Sequence, residues 1–261
     1  MRKFSSEYLR RTRRGMWSDD RTALEALRLD DVSSVLDVGC GEGAFTRVLL
    51  EECDESADVV GCDADTALLH ENPASCVRGD TYSLPFRGSS FELVTCQALL
   101  VNLRERERAL DEFVRVASER VACIEPDNSA VRVESTAGEE EDVARRSRNL
   151  YLEGVGTEVS LGADAADLLR DAGLEDMTVA RYDHTTVVEA PYSEDDIKAV
   201  RRKASGEAFR QRRDEMAGDE ETLDTLRDGW RAVGREAARQ MNEGKYRRTE
   251  TVPFYVVVGK V

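Results

Sequence analysis

Three observations predict an α/β fold with a seven-stranded, mostly parallel sheet flanked by helices. Short apolar runs alternate with helical patterns from residue 33 to about 188, the pattern of strands joined by crossover helices. The first run opens into VLDVGCGEGAF, residues 35–45, where Gly39, Gly41 and Gly43 fall within five positions. Asp37, Asp63 and Asp80 stand at the ends of the first three runs. Ligands of open parallel sheets bind beyond the carboxyl ends of the strands, so these acids mark a candidate site.

The strands are read in order as residues 33–38, 57–62, 75–79, 91–96, 120–125, 177–188 and 251–261. Pro253 lacks a ladder donor, so the last run suits a sheet edge or a strand start better than a central position. Between them, LGADAADLLRDAGL (161–174) places Leu168, Leu169 and Ala172 on one helical face and stops at Gly173. Two further helices precede the last strand. One begins at Ser193, with Asp196 three residues on as in a capping box, and carries Ile197, Val200, Ala204 and Ala208. The other repeats Leu223, Leu226, Trp230, Val233, Ala237 and Met241 at steps of three and four, with Gly244 beyond its end. The organisation expected is a single domain over 1–261: an N-terminal lid (1–32), a core (33–190), a helical cap inserted at 191–250, and the last strand (251–261).

Composition excludes several classes. The chain of 261 residues is 41% hydrophobic, enough for a buried core. It contains no apolar run of membrane-spanning length, and MRKFSSEYLRRTRRGMW has charges but no apolar signal core, so the expectation is a cytoplasmic protein. Net charge is −16, with 5 Lys against 32 Arg. An acidic, lysine-poor surface suits a cytoplasm at molar salt, where a Debye length of ~3 Å removes self-repulsion. The same acidity argues against nucleic acid as a partner. The one basic cluster, Arg10, Arg11, Arg13 and Arg14, reads first as a solvated helix face. The six cysteines, Cys40, Cys53, Cys62, Cys76, Cys96 and Cys123, form no C-x-x-C pair and share the chain with two histidines. Metal-site spacing is absent, and the cysteines read as small buried hydrophobes.

Gly39, Gly41 and Ala44 also fit the spacing of a dinucleotide cradle, and Asp63, 20 residues beyond Gly43, falls where a ribose-binding acid belongs. Asp37 breaks the tie. A pyrophosphate held at a helix N-terminus gains nothing from a carboxylate beside it, whereas a ligand with a cationic amino-acid end does.

In this order and spacing, VLDVGCGEG, VVGCDAD, GDTYSLPF, FELVTCQALLVNL and VACIEPD resemble the five motifs of the class I S-adenosylmethionine-dependent methyltransferases. The nearest branch is the small-molecule one that includes quinone-pathway and "type 11" enzymes. The resemblance covers residues 33–126 well and the remainder by architecture, and it implies a Rossmann-like methyltransferase fold. It implies that the Gly39-Cys40-Gly41 backbone approaches the methionine portion of the cofactor and that Asp37 supports its ammonium. Asp63, with Ala64 beside it, would take the ribose hydroxyls, and Asp80 with the Thr81 amide the adenine edge. Cys96 and Gln97 would line the floor near the sulfonium. Phe4, Tyr8 and Trp17 belong to a segment that in related enzymes folds over the cofactor as a lid, although aromatic staples on a surface helix would look the same.

Transfer of a methyl group is an in-line displacement on an already activated carbon. Alignment alone is worth up to ~7 to 11 kcal/mol in favourable intramolecular cases, so no triad is required. His184, in YDHTT on the sixth strand, is the candidate base if the nucleophile must lose a proton. His70 suits a helix end. Glu125 and Asn128, after the fifth strand, either touch substrate or shape the turn at Pro126. Strand four ends TCQA, not the N-P-P-Y of adenine-amino and glutamine methyltransferases, and Cys96 is not preceded by the proline expected of a cytosine-ring nucleophile. The acceptor expected is small and partly apolar. An RNA methyltransferase docking through Arg10–Arg14 and a cofactor-binding regulator without turnover are the rival readings.

Overall fold

A computed structural model describes Arg13 and residues 15–261. Phe4, Tyr8, Arg10, Arg11 and Arg14 lie outside the described residues. The chain clusters into two compact units. The first is Met1–Asp127, as far as it is described, with Ser160–Tyr182 and Pro253–Val261; the second is Asn128–Val159 with Asp183–Val252.

The first unit is built on β1 (Ser34–Val38), β2 (Asp58–Asp63), β3 (Ser75–Arg78), β4 (Phe91–Gln97), β5 (Ala117–Pro126) and the end of β8 (Arg248–Lys260), in the order β3-β2-β1-β4-β5-β8. Pairs β3/β2, β2/β1, β1/β4 and β4/β5 are parallel. The β5/β8 pair is antiparallel, with Arg120 opposite Lys260 and Pro126 opposite Phe254. Strands buried on both faces read as continuous apolar runs, which is why SVLDV and FELVTCQ carry almost no alternation.

Helices α1 (Ala44–Glu52), α2 (Thr66–Leu69) and α3 (Arg106–Val116) connect these strands, and α5 (Ala165–Asp171), which precedes β7, belongs to the same unit. Phe113, Leu110 and Ala109 of α3 and Leu169 of α5 enter the core with Val94, Val121 and Val257. The α5 helix stops where Gly173 takes φ +90° and Leu174 donates back to the Leu169 carbonyl.

Strand order reverses about β1, which has β2 on one side and β4 on the other. The carboxyl ends of β1, β2, β3 and β4 therefore flank the position at which ligands of open parallel sheets bind.

Pro253 departs from the expectation of an edge or a strand start. β8 is flanked by partners, pairing with β7 (Glu175–Val188) as well as with β5. The proline is tolerated because it sits between two pairing segments. β8 leaves β6 (Arg132–Ser135) at Thr251 and meets β5 at Phe254. Pro253 needs only to accept there, and its carbonyl takes the Asp127 N–H at 2.9 Å.

The second unit contains β6, α4 (Glu140–Gly154), α6 (Glu194–Ser205), α7 (Glu207–Arg210) and α8 (Glu220–Asn242). The Ser193–Asp196 capping box starts α6 and Asp219 caps α8. Leu223, Leu226 and Val233 of α8 bury against Val143 and Phe209. Glu140 is fully buried within this unit. Burial alone would raise its pKa, but Lys203 and Arg248 outweigh it and hold the carboxyl below its ordinary value. Tyr246 Oη donates to its Oε2 at 2.8 Å and Ser135 Oγ at 2.7 Å, while Lys203 Nζ donates to Oε1, so the buried charge is both paired and hydrogen-bonded. Among the described residues no helix is long and apolar enough to cross a membrane.

Candidate cofactor site

At the end of β1 the backbone must turn sharply into α1. Gly39 (φ +72°) and Gly41 (φ +52°) take left-handed conformations that a side chain disfavours. The two serve different ends. A Cβ on Gly39 would lie 2.9 Å from Leu99 Cδ1, so this glycine is required by packing against the chain itself. Among the described residues a Cβ on Gly41 would meet only Leu68 Cδ1, at 3.9 Å, so there the backbone borders usable space. The Gly39 and Cys40 amides both donate to the Cys62 carbonyl, at 2.7 and 3.2 Å, which pins the turn to the end of β2.

Asp37 is 1% exposed, within the buried body of β1. Thr46 Oγ donates to its Oδ2 at 2.6 Å, and Asn72 Nδ2 donates both to Thr46 Oγ, at 3.2 Å, and to the Gly41 carbonyl, at 3.4 Å. Burial pushes the Asp37 carboxyl up to about 7; the Thr46 bond and the Arg13 guanidinium pull down, and Asp63 pushes up. A buried acid so shifted, at a strand end, marks a candidate functional position. Nothing in the sequence marks Thr46 or Asn72, since no periodicity ties a helix threonine to an acid nine residues earlier, and Arg13 stands there only as part of a basic cluster.

Asp63, at the end of β2, uses both oxygens on backbone. Oδ2 accepts from Gly41 N–H at 3.0 Å and Oδ1 from Asp65 N–H at 2.9 Å. Each oxygen keeps a second lone pair for a ligand hydroxyl. Ala64, next to it, is exposed. Asp80 Oδ1 accepts from Tyr82 N–H at 3.0 Å and its carbonyl from Ser83 N–H at 2.9 Å, so the residue closes its own turn beyond β3. Thr81 Oγ, inside that turn, is buried with no hydrogen-bond partner among the described residues.

Gln97 and Cys96 diverge at the end of β4. Gln97 Oε1 accepts from the Trp17 indole N–H at 2.8 Å, and Trp17 stacks on Tyr182 with centroids 4.1 Å apart. Trp17 is 1% exposed and thus anchored on β4. Cys96 lies in the core, its thiol 3.8 Å from Glu125 Oε1. Burial also raises the Cys40 and Cys62 thiols, Cys62 to about 12, so both stay neutral near pH 7.

Asp37, Gly39, Cys40, Gly41, Asp63, Ala64, Asp80, Thr81, Cys96, Gln97 and Trp17 all belong to the first unit. His184, 2% exposed on β7, belongs to the second. Asn128 is also in the second, where its side chain bonds the Val159 carbonyl. Glu125 makes no turn at Pro126 with its side chain; it is fully buried and accepts three backbone N–H bonds from residues 99–101.

A doubly neighboured β1, a glycine turn that leaves space at Gly41, and acids at the first three strand ends define the class: a Rossmann-like α/β methyltransferase fold with a mostly parallel sheet flanked by helices. Residues 36–124 match the family described as "Methyltransferase domain". The chain is 30% identical over 128 residues to a demethylmenaquinone methyltransferase of Lactiplantibacillus plantarum, covering 43% of this chain and 54% of that one. It is also 30% identical over 107 residues to the ubiquinone/menaquinone biosynthesis C-methyltransferase UbiE of Legionella pneumophila, covering 37% and 43%. The chain thus spans about half the length of these relatives. A crystal structure of a candidate methyltransferase from Bacillus halodurans shares the fold, with a TM-score of 0.54, 16% identity and coverage of 93% of this chain and 98% of that one.

Proposed function

We propose that the protein is an S-adenosylmethionine-dependent methyltransferase acting on a small, partly apolar acceptor in a cytoplasm at molar salt. The observation that carries this reading is the Asp37–Gly41–Asp63 arrangement. One buried acid sits where a cationic amino-acid end would be neutralised, and one strand-end acid keeps free lone pairs beside a glycine that leaves room. The unpartnered Thr81 hydroxyl beside Asp80 adds a polar contact suited to an adenine.

S-adenosylmethionine, when bound, supplies a methyl group activated on its sulfonium. The chain's residues bind and orient. Asp63 accepts the ribose hydroxyls, a bidentate task that suits a carboxylate. Asp37 neutralises the ammonium at low cost because Thr46 and Asn72 already hold it in place. Trp17, fixed by Gln97, keeps water from that end of the site. The relatives named for demethylmenaquinone and ubiquinone or menaquinone biosynthesis favour a small organic acceptor over RNA.

Calorimetry tests the reading. S-adenosylmethionine and S-adenosylhomocysteine should both bind, and Asp63→Ala should weaken both by about two orders of magnitude, the worth of two charge-assisted hydrogen bonds. Tight NADH binding with no response to S-adenosylhomocysteine would refute it. A cell extract supplied with methyl-labelled cofactor then identifies the acceptor; tight binding without any labelled product would mark a regulator instead.

A further inference from the structure

Glu125 is a carboxyl with no surface. Its side chain is fully buried at the end of β5, so it cannot reach a ligand, yet both oxygens are engaged. Oε1 accepts from the Leu99 and Leu100 amides at 3.1 and 2.9 Å, and Oε2 from the Val101 amide at 3.3 Å. These amides belong to the turn that leaves β4. That turn begins at Ala98, held in a left-handed conformation (φ +50°) that an alanine does not adopt unaided. Ala98 donates to the Ile124 carbonyl at 2.8 Å, and Asn102 Nδ2 donates to the Ala98 carbonyl at 2.8 Å.

The turn delivers one side chain to the cofactor loop. Leu99 Cδ1, Cδ2 and Cγ lie 2.9, 3.1 and 3.3 Å from where a Gly39 Cβ would stand, so Leu99 covers the face of Gly39. From the opposite side the Cys62 carbonyl holds the amides of Gly39 and Cys40. The glycine turn is thereby bounded by β2 and by a leucine whose own backbone is held by Glu125.

We propose that Glu125 is a positioning residue for the cofactor loop, acting through Leu99; the proposal rests on the methyltransferase reading above. An acceptor-only group is required there. Three N–H donors converge, and an amide side chain would turn an NH2 toward one of them and leave a buried donor unpaired. A neutral apolar residue would strand all three. Burial raises the Glu125 carboxyl to about 7, against the pull of the three amides and Arg106. The groups around it are Cys96 from β4, its thiol 3.8 Å from Oε1, and Arg106, whose Nε donates to the Leu100 carbonyl at 3.1 Å.

The test is a double-mutant cycle read as S-adenosylhomocysteine affinity by calorimetry, with each variant's melting curve recorded without ligand. Glu125→Gln and Leu99→Ala should each weaken binding by about tenfold. The double variant should bind no more weakly than the weaker single, because both changes break one chain of contacts. A purely structural Glu125 gives a different pattern, in which the losses multiply. That result overturns the proposal, as does wild-type affinity in a folded Glu125→Gln protein. If Glu125→Gln does not fold, Leu99→Ala alone decides: wild-type affinity in that variant refutes the proposal. Failure of the wild-type protein to bind S-adenosylhomocysteine refutes instead the functional reading on which it rests.

Discussion

Asp37 shows how the burial of one carboxyl couples stability to pH. Its folded pKa is about 7 against an ordinary 3.8, so between those values the folded state binds more protons than the unfolded one. Stability without ligand is therefore greatest below the ordinary value and is lost as pH rises through about 7, at about 1.4 kcal/mol for each tenfold in proton affinity. Asp37→Asn removes that loss. It should raise the melting temperature of the ligand-free protein more at about pH 8.5 than at about pH 5.5, and at the higher pH it should weaken S-adenosylhomocysteine binding at least tenfold. Melting curves and calorimetry at both pH values check it; a melting temperature lowered by the substitution at high pH would contradict the burial argument. The sequence made Asp37 legible because a carboxylate before a glycine turn has no use to a pyrophosphate. It did not show Thr46 or Asn72 beside it, since the Thr46–Asp37 and Asn72–Thr46 hydrogen bonds are made only by the folded turn.

Among elements, the turn between β1 and α1 separates packing from binding. Gly39→Ala would force a Cβ to within 2.9 Å of Leu99 and hold it at a left-handed φ, at a cost of ~2–3 kcal/mol. Gly41→Ala meets only the conformational penalty, ~1 kcal/mol, and places its methyl in the space beside Asp63. Denaturant unfolding should rank Gly39→Ala as the less stable variant, while calorimetry should show S-adenosylhomocysteine binding impaired in Gly41→Ala even though it folds. Equal stability of the two would mean that Leu99 yields. The glycine spacing was readable as a pattern. Which glycine faces protein and which faces open space was not, because Leu99 lies 60 residues from Gly39 and only strand pairing brings it there.

For the whole molecule, charge is the dominant property. A net −16 is carried mostly at the surface, where the ion pairs that form are exposed and worth little each, such as Arg239 with Glu236 and Glu243. Self-repulsion should therefore decide the salt response, and the melting temperature should rise as KCl is taken from millimolar to molar concentration. Differential scanning fluorimetry across that range checks this, and a flat or falling curve would remove the case for a molar-salt habitat. At the same scale the chain divides into two compact units, and the second recruits residues 128–159 together with 183–252. That recruitment was invisible to a pass along the chain, because β6 and α4 lie before α5 in sequence and join α6 and α8 only by packing.

By itself the sequence determined the alternation of strand and helix, the capping at Ser193, the glycine turn and the acids at the strand ends, because each is written in local patterns of a few residues. The tertiary structure alone decided that β8 passes between β5 and β7 with Pro253 at a change of partner, that Cys96 turns into the core while Gln97 holds Trp17, and that Glu125 supports the turn carrying Leu99. Those outcomes depend on which distant strands become neighbours, and a hydrogen bond or a steric contact across that distance leaves no periodic trace in the chain.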